Sequence, residues 1–292
     1  MTGSPLEFRH VDVFADAPLA GNGLIVFFDT EALTTGRMAE LTVEFRQFES
    51  IFLTDIRLDQ RTATARIFTA EEELTFAGHP VLGAAAALHE RAGLGDDPAI
   101  WTLIIAGRSL TVVVSRQGTG WQAQMAQGKA EFGPPLSDID LAMVVAALGL
   151  DLPDLAPGSP ACVVSTGLAY LILPVTASAL ARAAICGADF EVKLTGLGAK
   201  FAYLFDPNER EGRTWDNLGA VEDVATGSAA GPAAAWMVAG GMEQPDALFE
   251  IHQGRFVGRP STINVSVATD GAVSVGGRVV PVARGVLDPD AA

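Results

Sequence analysis

The chain makes the same kind of turn twice. Residues 73–83 read ELTFAGHPVLG and residues 222–231 read EDVATGSAAG, and each is a small-residue turn that opens an alanine-rich apolar run. One fixed slide places Ala77 on Ala225, Gly83 on Gly231, and Ala85, Ala86 and Ala87 on Ala233, Ala234 and Ala235. The flanking segments keep the same order. In the first half LEFRHVDVF alternates as a strand, DAPLAGN turns, and GLIVFFD reads as a second strand. EALTTGRMAELTVEFR reads as a helix capped by Thr34 or Thr35. FESIFLTD and TATARIFT read as β, and PVLGAAAALHERAG as a helix with Pro80 in its first turn and Gly93 near its end. WTLIIAG and SLTVVVSRQ make a hairpin that GWQAQMAQ extends. In the second half VVSTGLAYLILPV repeats the pattern of AGNGLIVFFD, SALARAAICGADF reads as a helix, KFAYLFD stands where TATARIFT stood, and ATGSAAGPAAAWMVAGG opens the second alanine helix. Between the halves, KAEFGPPLSD reads as a linker before the helix IDLAMVVAALGL.

A repeat this long is no solenoid. It predicts an α+β fold of two pseudo-symmetric lobes, each a mostly antiparallel, barrel-like sheet around a central helix whose alanines and glycines let the sheet approach closely. The lobes are expected at residues 1–130 and 131–279, with a tail at about 280–292 packing back on the first. The length of 292 residues suits two domains, and 49% hydrophobic against 18% charged residues supplies their cores.

Composition excludes several functions. A net charge of -16 opposes binding to nucleic acid. No apolar run reaches the roughly 20 residues of a membrane span, and the N-terminus lacks a signal-peptide pattern, so a cytoplasmic location is expected. Two cysteines, Cys162 and Cys186, make no disulfide framework. The four histidines lack HExxH spacing, so no metal is expected. ATGSAAG lacks the GK[ST] of a phosphate loop, and no GxSxG surrounds Ser228, which argues against an NTPase and a serine hydrolase.

The turns themselves suggest chemistry. A helix N-terminus presents unpaired N–H groups and a partial positive charge. Two of them facing across a cleft would make a socket for a carboxylate, although two ordinary helix starts read equally well. Glu49, in the apolar RQFESIFL, is either a carboxyl with a raised pKa that works as acid and base or, the better reading on local sequence alone, a strand-edge acid in water. His79 either moves a proton or caps and packs. Asp223 either orients a substrate amine or hydroxyl or favours the helix start. Thr226 and Ser228 donate to an oxyanion or serve as N-caps. Gln253 and Gly254, with GRPS at 258–261, either line the cleft from the second lobe or, the better reading, form a turn entering the strand TINVSVA.

Taken together, VDVFADAPLAGNGLIVF, FESIF, FAGHPVLGAA, STGLAYLILPV, VEDVATGSAAGP and QGRFVGRPS, in this order, resemble the PhzF-like isomerases of phenazine biosynthesis, relatives of diaminopimelate epimerase. The resemblance covers nearly the whole chain. It implies two lobes with the active site between them, a homodimer, no cofactor, and a small carboxylate substrate. It implies that Glu49 takes and returns a proton, that His79, Asp223 and Ser228 hold or assist the substrate, and that backbone N–H groups at Gly78, Gly227 and Ser228, with Thr226 beside them, bind its carboxylate. In the epimerase relatives a cysteine stands in each turn; here those positions are Ala77 and Ala225. The sequence also departs from the usual pattern at Gly23, Phe48, Ser50, Thr75 and Val224, of which Phe48 and Ser50 bear on the pocket. An amino- or hydroxy-acid epimerase and a non-catalytic binding member of the fold are the alternative readings.

Overall fold

A helix that is apolar on every side has to be enclosed on every side, and the first alanine run is such a helix. The computed structural model describes residues 6–75, 77–157 and 160–288; the last part of the expected returning tail, 289–292, lies outside the described residues. The chain divides into two compact units, one running to Met125 and resuming at Gly276, the other Ala126–Val275.

The first unit contains β1 (Glu7–Val13), β2 (Asn22–Phe27), α1 (Thr35–Phe45), β3 (Glu49–Arg57), β4 (Thr62–Phe68), β5 (Glu73–Leu74), α2 (Gly78–Arg91), β6 (Ala99–Ile105), β7 (Arg108–Gln117) and the start of β8 (Gly120–Lys129). The sheet runs β1-β2-β3-β4-β6-β7-β8 to the chain's last strand, Ala272–Val286, which pairs with β1 and closes an eight-stranded barrel. Helix α2 is the core of this unit, buried from His79 to His89. Its closest approach to the sheet is at Gly83, where a Cβ would lie 2.5 Å from Leu24 Cδ2 and 3.0 Å from Val13 Cγ2. On the outer face, α1 covers β1 to β4 through an aromatic cluster: Phe27 stacks on Phe52 at 4.7 Å, and Phe45 meets the edges of Phe8 and Phe27. This two-sided cover is why NGLIVF is buried at every position. Thr34 caps α1, its Oγ1 accepting from Arg37 N at 3.2 Å.

The second unit contains β9 (Glu131–Pro135), α3 (Asp138–Ala147), β10 (Cys162–Ser165), β11 (Ala169–Pro174), α4 (Ala177–Arg182), α5 (Phe190–Gly196), β12 (Phe201–Asp206), β13 (Glu211–Arg213), α6 (Gly227–Ala239), β14 (Leu248–Gln253), β15 (Ser261–Val267) and the start of β16 (Ala272–Val286). The repeat seen in the sequence reappears in the strand pairing. In the first unit β1–β2 is antiparallel, β2–β3 parallel, β3–β4 antiparallel, β4–β6 parallel and β6–β7 antiparallel. In the second unit β10–β11, β11–β12, β12–β13, β13–β14 and β14–β15 follow the same alternation. The fold is therefore α+β, with each sheet wrapped on one central helix, α2 or α6.

Two expectations are corrected. The supposed linker contains a strand: Glu131–Pro135 pairs with β10, with Phe132 opposite Val164 and Pro135 opposite Cys162. It lies at the end of the strand order, where a proline's missing N–H can be tolerated. The helix expected over SALARAAICGADF ends at Arg182. Ala183 is extended (φ -58, ψ 137), the N–H groups of Ala184 and Cys186 bond to Leu148 O and Ala147 O, and the last helical carbonyls are taken by Arg213, whose Nη1 donates to Leu180 O at 2.6 Å. These bonds are worth more to the segment than another helical turn, and a separate helix, α5, follows.

Candidate active site

The sheet register puts Glu49 inside the first barrel. Leu24, which touches α2 at Gly83, is the register partner of Glu49 on the neighbouring strand, so both side chains share the inward face. Glu49 is 6% exposed, and the strand-edge reading of this residue is set aside. Its Oε2 lies 3.1 Å from Nδ1 of His79, the second residue of α2, which is 5% exposed. Burial pushes the His79 imidazolium down to about 3, so the ring is neutral at physiological pH. A neutral ring donates from one nitrogen only. With Nδ1–H directed at the Glu49 carboxylate, Nε2 carries a lone pair, and it has no hydrogen-bond partner among the described residues. The pair is thus a buried carboxyl and a neutral imidazole in direct contact. Ala77 is the N-cap of α2, with no side-chain cap bond, so the first N–H groups of the helix, including Gly78, are left to other partners.

The second turn is built differently. Thr226 is the N-cap of α6, which begins at Gly227. Its hydroxyl lies 2.5 Å from Asp223 Oδ2, its amide donates to Gln253 Oε1 at 3.2 Å, and Gln253 Nε2 donates both to Asp223 O (2.9 Å) and to Thr226 Oγ1 (3.0 Å). Tyr203 OH donates to the same Gln253 Oε1 at 3.3 Å, and burial pushes that phenol well above its ordinary value. On the other side of the turn, Tyr170 OH and Ser228 Oγ share a 2.9 Å hydrogen bond. Gln127 donates to Gly227 O at 3.0 Å and accepts from Thr166 at 3.2 Å. A Cβ at Gly231 would overlap Gln127 Oε1 and would displace that side chain. Arg213 braces the loop before Asp223, bonding both oxygens of Glu222 at 2.9 and 2.6 Å between the rings of Trp215 and Phe256.

Within the first unit the structure joins Glu49, His79 and Gly78; within the second it joins Asp223, Thr226, Gly227 and Ser228. Gln253 closes its strand and is followed by left-handed Gly254, as a turn residue should be, but it is also the centre of the second network. Tyr170, Tyr203, Gln127 and Thr166 were missed. Only the tyrosines carried a signal, their rarity: the chain has two, and both reach the α6 turn. Ala77 and Ala225 are buried and carry no thiol, while Cys162 is buried in β10 and Cys186 is exposed. Among the described residues, no group of three or more His, Cys, Asp or Glu side chains could hold a metal ion, and no helix is long and apolar enough to cross a membrane.

Comparison with known proteins agrees with this fold. Residues 11–285 match the PhzC-PhzF model, described as phenazine biosynthesis-like protein. The chain is 31% identical over 273 residues to the uncharacterized isomerase YddE of Salmonella typhimurium, covering 89% of this chain and 90% of that one. It is 33% identical over 296 residues to trans-2,3-dihydro-3-hydroxyanthranilate isomerase of Pseudomonas aeruginosa, covering 94% and 96%. Among solved structures, the predicted epimerase PA4716 of Pseudomonas aeruginosa superposes with a TM-score of 0.91 at 53% identity, covering 97% and 99%. A probable proline racemase from Agrobacterium radiobacter, with a TM-score of 0.62 at 12% identity, shares the fold. Fold and relatives define an isomerase with a diaminopimelate epimerase-like architecture. The chain belongs to the PhzC-PhzF family of phenazine biosynthesis-like proteins.

Proposed function

We propose that the chain moves a proton between two carbons of a small carboxylate substrate, with Glu49 as the single acid and base. The observation that carries this reading is the buried Glu49–His79 pair, with its 3.1 Å contact and neutral imidazole. The Glu49 carboxylate takes a proton from a substrate carbon and becomes a carboxylic acid. The electron pair left behind shifts along the substrate's unsaturated frame, and Glu49 returns the proton at a different carbon. Atoms and electrons balance without a cofactor. His79 supports both forms of the glutamate, because a neutral imidazole donates to the carboxylate in one tautomer and accepts from the acid in the other. Backbone N–H groups at Gly78, Gly227 and Ser228 hold the substrate carboxylate, supported by the free donors that open any helix. Asp223 orients the substrate, with Thr226 and Ser228 beside it.

The alanines at 77 and 225 argue against racemisation by a thiol pair. A single-base exchange at a stereocentre is a different matter, and the test separates it. Wild-type protein and Glu49→Gln are incubated in D₂O with a small-metabolite extract, and separately with trans-2,3-dihydro-3-hydroxyanthranilate, the substrate named for one relative. A compound labelled and converted to a positional isomer by wild type alone supports the reading. Label with inverted configuration at the same carbon indicates an epimerase, and equal turnover by Glu49→Gln rejects the mechanism.

A further inference from the structure

We infer that Gln253 is a positioning residue that fixes the direction of the hydrogen bonds at the α6 turn, so that Thr226 donates its only hydroxyl proton to Asp223. The proposal rests on the reading above only in taking Asp223 to the substrate; the hydrogen-bond argument is independent of it.

The argument starts from two backbone groups whose roles cannot change. Thr226 N–H can only donate and Asp223 C=O can only accept. The Thr226 amide lies 3.2 Å from Oε1 of Gln253, and the Asp223 carbonyl lies 2.9 Å from Nε2. Turning the Gln253 amide over would set donor against donor at the first contact and acceptor against acceptor at the second. The orientation of the amide is therefore dictated by its surroundings, in a residue that is 1% exposed. Its second Nε2 proton then points at Thr226 Oγ1, 3.0 Å away. That hydroxyl is now an acceptor, and its own proton goes to Asp223 Oδ2 at 2.5 Å. Tyr203 completes the chain by donating to Gln253 Oε1. It is held in place by its own burial and by Gly212, where any Cβ would collide with the phenol ring. The direction runs from Tyr203 to Gln253 to Thr226 to Asp223, and it ends on a carboxylate oxygen used as an acceptor. An Asp223 so held has a fixed rotamer, and it orients the substrate through an oxygen position that does not wander. Sequence reading treats Gln253 as the end of a turn, and the turn reading is correct for the backbone; the side chain has this second role.

Gln253→Glu tests the direction with almost no change of shape. Ionised, its second oxygen cannot donate; protonated, it has one hydrogen for the two acceptors that Nε2 serves, Asp223 O and Thr226 Oγ1, so in either form the hydrogen-bond pattern that sends the Thr226 proton to Asp223 is broken. Thr226→Val, also close in shape, removes the hydroxyl and leaves Gln253 intact. Thermal melts show whether each variant folds. The first readout needs no substrate. In protein carrying ¹³C-threonine, the Thr226 hydroxyl proton exchanges slowly and gives a proton resonance that shifts in Asp223→Asn. That resonance disappears or moves in Gln253→Glu. A wild type without a slowly exchanging Thr226 hydroxyl proton overturns the proposal, as does a resonance unchanged in Gln253→Glu. If Gln253→Glu fails to fold, Thr226→Val decides through the second readout, the split between kcat and KM in deuterium transfer. Both variants are expected to lose about 10²-fold in kcat/KM, whereas a purely structural role lowers the melting temperature and leaves kcat/KM alone. A wild type that transfers no deuterium to any compound rejects the proton-transfer reading, and the hydroxyl resonance still decides the role of Gln253.

Discussion

In the first unit, β3 and the start of the central helix bring the Glu49 carboxyl and the His79 imidazole together with few other polar groups; in the second, the turn before the central helix sets the Asp223 carboxyl inside a web of neutral donors and acceptors. His79 Nε2 and Ser50 Oγ are buried without hydrogen-bond partners among the described residues, whereas Asp223, Thr226, Gly227, Ser228 and Gln253 are tied to one another, to Tyr170, to Tyr203 and to Gln127. A buried polar atom left unsatisfied by the protein costs stability unless water or a ligand reaches it. A saturated network holds groups still. The proposed roles follow this contrast, with movement of the proton proposed for the Glu49–His79 pair and orientation of the substrate for the α6 turn, although both units repeat one pattern of strands and helix.

The sharpest way to break that assignment is to exchange the two kinds of damage. Glu49→Gln keeps the shape of the side chain and removes its basicity, so deuterium transfer is expected to fall by about 10⁴-fold with little change in substrate affinity. Ser228→Ala and Asp223→Asn are expected to cost about 10²–10³-fold in kcat/KM, with most of the loss in KM for Ser228. If Glu49→Gln raises KM and spares kcat, or Asp223→Asn abolishes transfer entirely, the roles are reversed and the assignment fails.

The two glycines that slide onto one another sharpen the comparison. A methyl group at Gly83 meets the side chains of Leu24, Val13 and Val11, all apolar, while one at Gly231 meets Gln127 Oε1. Gly83→Ala and Gly231→Ala should each destabilise by about 1–3 kcal/mol through overpacking, read as a shift in denaturant midpoint. Gly231→Ala alone should also weaken activity, because a displaced Gln127 releases Gly227 O. Equal activity losses in the two variants would show that the second turn is no more sensitive than the first.

Much of this was legible in the chain, and the failures have physical causes. The small-residue turns, the alanine helices and the order of strands are written locally, in patterns of period two and near four, so the fold class follows from them. The cap at Thr34 follows from one residue and its neighbours. Glu49 could not be judged from its neighbours, because its burial depends on the β2–β3 register and on a helix that begins some thirty positions later. The end of α4 could not be read either, since it is set by Arg213 and by the carbonyls of α3. Tyr203 and Gln253 lie fifty residues apart in the chain, and only the strand pairing brings them to Thr226.

Acid titration offers a subtler measure of the first turn. The folded pKa of His79 lies at about 3, below the unfolded value of 6.5. Between those values the unfolded chain binds the extra proton, so stability falls as the pH drops from about 6.5 towards 3. The slope contributed by this residue is at most about 1.4 kcal/mol per pH unit. His79→Gln should flatten the stability profile across that window by up to that slope and leave it unchanged above pH 7. A profile of identical shape would mean that the imidazole is hydrated in solution and that the dyad is not dry.

The smallest expected effect is none. Cys186 is exposed and Cys162 is 5% exposed in β10, with its thiol pushed up by burial. Iodoacetamide on the folded protein should modify Cys186 alone and leave deuterium transfer unchanged, because a thiolate is the reactive form and a buried thiol stays protonated. Neither cysteine stands in a turn, where Ala77 and Ala225 occupy the places a thiol pair would need. Loss of activity in step with modification of either cysteine would give sulfur a part in the reaction, and it would undo the claim that the first turn works with one carboxylate. Full activity in the alkylated protein removes sulfur from the reaction and leaves the proton transfer to the oxygen and nitrogen groups, among which Glu49→Gln and Asp223→Asn then decide.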